Sequence, residues 1–150
     1  NPNVLECLYT PLVVTATPLA QELLSLKSIF LSKLVYQSYN GYCISQFKKM
    51  EQDLRNHGTV RWKHAMHLIR LLLSGITILK EGFVPIDISD DREELLRIRR
   101  GHYSWEEINH KRLTLQDQFE TAYNHTQLPE RPNYEKANQF LVQARRTMVM

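Results

Sequence analysis

Lys63, His67, Arg70 and Ser74 stand at i, i+4, i+7 and i+11 within RWKHAMHLIRLLLSG, a largely apolar stretch that also carries His64. At about 100° per residue they fall within roughly 60° of one another on a helix. Leu68, Ile69, Leu71, Leu72, Leu73 and Ile76 cover nearly all the rest of its surface. A helix apolar on most sides is normally buried, and buried charges are costly unless they are paired or face a ligand. Lysine, arginine and histidine on one face, with a serine hydroxyl among them, suit phosphate oxygens through charge-assisted hydrogen bonds. Two plainer readings stand beside the anion pocket. One is an internal ion-pair network with carboxylates such as Glu93 on a neighbouring helix, and the other is a solvated face. By spacing alone these two together outweigh the pocket.

Lys33, Tyr36 and Tyr39 share a second face, which Tyr42 and Gln46 continue. Such a face contacts ribose or a base, or it packs amphipathically with tyrosine hydroxyls at the rim, which composition favours. Asp91, Arg92, Glu93 and Glu94 form an ordinary charged first turn of a helix, and Arg92 and Glu93 are placed to pair with the stripe. His57, His64 and His67 are close in sequence, but no cysteine or carboxylate completes a zinc set, and His102, Trp105 and His110 lack ligand spacing. The interval from Arg61 to His67 fits the Arg-to-His spacing of some helical ribonucleases, although the two lie on different helix faces. No GxSxG elbow and no Walker A loop is present. Cys7 and Cys43 form neither a disulfide framework nor a CxxC pair, so reduced thiols in a cytoplasmic protein are expected.

The elements that must position these residues are helices. Thr17-Pro18 is a helix start, and the helix runs on until Asn40-Gly41 breaks or kinks it. A second helical stretch stops at Gly58. A third runs from near Thr59 to Lys80 and ends at Gly82. FVPIDISDD is an extended connector, after which Asp90 or Asp91 caps REELLRIRR, closed by Gly101. Ser104 and Glu107 form a capping box that opens a helix to about His125, and Asn133 caps a last helix through Arg146. The opening NPNVLECLYTP reads as extended. The expected fold is all-α, a compact bundle of five or six helices with a short extended N-terminal segment. The 150 residues, 43% of them hydrophobic and 23% charged, suit one domain with a real core. A net charge of +3 excludes a polybasic arm but leaves room for a local basic pocket. The longest apolar stretch, from Ala65 to Leu79, is too short for a bilayer and is interrupted by His67 and Arg70.

KHAMHLIRLLLSGITILKEG, DREELLRIRRGHYSWEEI and FETAYNHTQLPERPN, taken in order, resemble the C-terminal half of predicted nucleotidyltransferases of the DNA polymerase β superfamily. The nearest group is the one associated with RNA ligase operons. NPNVLECLYTP and FLSKLVYQSYNGYCISQFKKM resemble it too, and His102 stands where the family usually has Glu. The resemblance implies a two-part enzyme that transfers a nucleoside monophosphate from an NTP, with Mg²⁺, to RNA or another hydroxyl acceptor. The Gly-Ser and Asp-x-Asp signature of the catalytic part is not in this sequence. Residues 1–150 then read as a single helical domain whose catalytic partner domain precedes residue 1, in keeping with a first residue that is Asn and not Met. By that analogy Lys63, His67, Arg70 and Ser74 face a nucleotide, Lys33 and Tyr36 lie near it, and Glu6 is a neighbour of the metal site. No metal, nucleotide or catalytic residue belongs tightly to this chain alone. A basic concavity near the N-terminus is the expected docking place. The alternatives are a non-catalytic structural domain that dimerises through exposed apolar surface, and a helical ribonuclease using Arg61 and His67.

Overall fold

The computed structural model describes residues 1–149, and among them every regular element is helical. In chain order these are α1 (Pro2–Tyr9), α2 (Pro18–Ser25), a 3-10 turn (Lys27–Phe30), α3 (Leu34–His57), α4 (Trp62–Glu81), α5 (Arg92–Arg99), α6 (Trp105–His125) and α7 (Tyr134–Val149). The all-α expectation holds, with seven α-helices where five or six were expected.

Two differences account for the count. The opening residues are helical, not extended. The Asn1 side chain accepts from the Asn3 amide and Pro2 occupies the first turn, so the helix-start chemistry of Thr17-Pro18 occurs here as well. The second difference is the position of the break. α3 runs through Asn40-Gly41 without interruption, because a helical glycine costs only about 1 kcal/mol and Tyr39 and Cys43 bury on either side of it. The chain breaks earlier instead, over residues 26–33. There the Lys33 amide donates to the Pro129 carbonyl (2.9 Å) and the Ile29 carbonyl accepts from Asn133 (2.9 Å), so partners about a hundred residues away hold the turn.

α4 is the centre of the bundle and packs against α3, α5 and α6. Its core face carries Leu68, Ile69, Leu72, Ile78 and Leu79, all essentially fully buried. Gly75 sits where α4 meets α6, and a Cβ there would lie 2.6 Å from the Phe119 ring. The absence of a side chain sets how closely the two helices approach. Gly58, Gly82 and Gly101 end α3, α4 and α5 at φ near +70°. Asp91 occupies the N-cap of α5 but makes no capping bond with its side chain. The capping box of Ser104 and Glu107 forms as expected. α1, α2 and α7 gather around the 3-10 turn, and α7 buries only Ala144. No described helix is long and apolar enough to cross a membrane.

Candidate functional site

The polar stripe of α4 opens on a cleft of about 240 Å³ enclosed by three helices. α4 contributes His67, Arg70 and Ser74, α3 contributes Tyr42 and Gln46, and α1 contributes Asn3 and Glu6. The floor follows from the helix periods. Ser74 lies one turn below Arg70 on a helix whose other faces are core, so it is 4% exposed. α1 crosses the stripe because Leu5 buries into the core, which turns Glu6 toward α4.

Arg70 Nη2 donates to Glu6 Oε1 at 2.8 Å, and the two side chains are 31% and 26% exposed. This is the ion pair that the plainer reading expected, with a different carboxylate. Glu93 is exposed on α5, and among the described residues the stripe's one acidic partner is Glu6. The pairing uses one of the guanidinium's five N–H groups. Among the described residues neither the His67 ring nor the Ser74 hydroxyl has a protein partner. Beside the pair the Tyr39 ring is fully buried and its hydroxyl is unpartnered. Burial first, and then the Glu6 carboxylate, push that phenol's pKa well up, while Arg70 opposes them. Arg70 keeps free N–H groups beside the cleft's one carboxylate.

Charge around His67 has the same sign. Burial holds its pKa below the ordinary histidine value, and the charges of Arg70, Lys63, His64 and Arg99 push the same way. Lys63 is exposed one turn before His67 and does not line the cleft. Arg99 approaches from α5 and is also exposed. His64 does not line the cleft, but its Nδ1 lies 2.9 Å from Oε1 of Gln46 in the wall.

The other sequence candidates lie elsewhere. Lys33 pairs with Glu130, in the connector after α6. The Tyr36 ring lies 4.6 Å from both Phe119 and Tyr123 of α6. Neither lines the cleft with His67 and Arg70. Arg61 precedes α4, is 72% exposed and faces Asp53 at 3.7 Å, away from the walls that His67 lines. Both cysteines are free. Cys43 is buried, which pushes its thiol up to about 12, and Cys7 is exposed.

Asn3 and Arg99 carried no signal at the level of periodicity, because their place depends on how α1 and α5 dock. Glu6 was legible as an acid near the start, and reading Asn1-Pro2 as a helix start would have given it a face. Mg²⁺ does not fit this cleft. Glu6 is its one carboxylate and is held by Arg70. Among the described residues no group of three His, Cys, Asp or Glu side chains could hold a metal ion.

The family model of the RNA repair pathway DNA polymerase beta family matches residues 1–143. No curated protein and no solved structure matches the chain. The chain belongs to the RNA repair pathway DNA polymerase beta family.

Proposed function

We propose, from that membership and from the α1–α3–α4 cleft, that this chain is the phosphate-contacting helical part of a polymerase-β-like nucleotidyltransferase. His67, Arg70 and Ser74 receive phosphate oxygens of a nucleotide or RNA substrate, and Lys63 adds charge one turn before His67. Transfer of the nucleoside monophosphate, with its Mg²⁺ and NTP, belongs to a catalytic domain preceding residue 1, because this cleft has no carboxylate pair. Lys33 and Tyr36 serve the fold in this reading.

The observation that carries the reading is the set of cleft-lining groups left free. Arg70 has spare N–H groups, and Ser74 and His67 have no protein partner. An anionic ligand would accept from these together. The test is an amide NMR titration with ATP, GTP, CTP and UTP, with and without Mg²⁺. Saturable shifts around His67, Arg70 and Ser74 at a Kd tighter than about 1 mM, lost in Arg70→Gln, are the expected result. The Glu6–Arg70 pair supports a second reading, a structural domain whose network is already complete. That reading predicts no shifts for any nucleotide, and a loss of stability in Glu6→Gln.

A further inference from the structure

We propose that the cleft seats the phosphate monoester at one end of a single RNA strand, and that the strand's backbone leaves along α4 past Lys63 and Arg99. This rests on the reading of the cleft as a phosphate site and names its ligand.

Size is the first argument. About 240 Å³ is below the roughly 300–1,000 Å³ of sites that enclose a whole small molecule. The cleft holds a phosphate and part of one nucleoside, so the rest of the ligand lies outside it. The second argument is charge. A triphosphate travels with Mg²⁺ and is served by carboxylates that hold the ion, and the cleft's one carboxylate is engaged by Arg70. A monoester carries about −1.5 to −2 near pH 7, against one negative charge on each internal phosphate. Arg70, His67 and Ser74 at the closed end suit the more highly charged group.

The third argument is the path outward. From Arg70 to Lys63 the helix rises about 10 Å, some three phosphate steps of a stacked strand at roughly 3.4 Å each. Arg99 joins this track from α5, close enough for its charge to act on His67. Tyr42, exposed on the facing wall, offers a ring on which the terminal base stacks. The Glu6 carboxylate occupies the Arg70 position until a phosphate displaces it.

The experiment titrates the chain with hexaribonucleotides of one sequence, ending in a 5′-phosphate, a 3′-phosphate or hydroxyls only, followed by amide NMR. One phosphorylated end is expected to bind about tenfold or more tighter than the hydroxyl end, the value of one charge-assisted contact. Arg70→Gln removes that preference and Glu6→Gln enlarges it. Lys63→Ala/Arg99→Ala lowers the salt slope of hexamer binding by about 1.4, at roughly 0.7 for each single-strand phosphate contact, and weakens the hexamer more than a mononucleotide. Equal affinity for all three ends, or a preference that survives Arg70→Gln, overturns the proposal. If Arg70→Gln does not fold, Glu6→Gln decides, since a preference that fails to grow overturns it. NTP shifts at the cleft without any preference among strand ends would overturn this inference alone. Silence to every ligand would overturn the phosphate reading as well.

Discussion

Two regions of this molecule began as equal candidates and differ in one respect. Around Tyr36 the chain supplies the neighbours: Lys33 has Glu130, and the Tyr36 ring lies against Phe119 and Tyr123. Around Arg70 it does not: one ion pair serves a set that includes the His67 ring, the Ser74 hydroxyl and a buried tyrosine hydroxyl. The first region is finished by the chain itself. The second keeps free donors facing a cleft, and the proposed site rests on that contrast.

The contrast is tested hardest where the first region is purely structural. Tyr36→Ala is expected to cost about 3 kcal/mol, at the low end for deleting a packed aromatic because the ring is only half-buried. Urea denaturation measures it, and nucleotide-induced shifts at His67 and Arg70 should persist. Losing those shifts from a folded variant would join the two regions into one site. Next comes a hydroxyl deletion: Tyr39→Phe removes a buried hydroxyl that has no partner and should stabilise by about 1 kcal/mol. A destabilised Tyr39→Phe would erase the distinction.

A smaller effect follows from His67. Its folded pKa lies below the unfolded value near 6.5, for burial first and then for its cationic neighbours. Between those two values the unfolded chain binds more protons, so stability is full above about pH 6.5 and falls as pH drops through the folded pKa. His67→Gln should flatten this part of the Tm–pH curve, and a saturating phosphate ligand should raise the His67 pKa observed by NMR. The least effect is expected from Lys33→Ala, whose ammonium is solvent-accessible: neither Tm nor nucleotide shifts should change measurably. A ligand effect there would return Lys33 to the site.

Most of the helical frame was legible because its signals are local. Gly58 and Gly82 stop α3 and α4, Ser104 and Glu107 start α6, and Asn133 precedes α7, its side chain accepting from Lys136 at 3.0 Å. The break before α3 was not legible, since no Gly or Pro marks it and its hydrogen bonds come from residues 129 and 133. The stripe from His67 to Ser74 could be drawn on a wheel from periodicity alone. Its partner could not, because Glu6 and Glu93 are equally plausible acids until α1 is seen lying across α4. The tyrosine face drawn from the sequence is too wide. Tyr36 and Tyr42, six residues apart, stand roughly 120° apart on a helix, and one turns to α6 and the other to the cleft.

The chain has two tryptophans, and their settings make the protein its own optical instrument. Trp62 lies against the backbone of Gly101, where an added Cβ would come within 2.6 Å of its indole nitrogen. It adjoins Lys63 and holds the end of α5 that carries Arg99. Trp105 stacks on Phe47 instead, with ring centroids 5.9 Å apart. A Trp105→Phe variant would leave Trp62 as the one tryptophan, on α4 against the end of α5. Its emission would follow movement of those two helices against each other in real time, without any attached label.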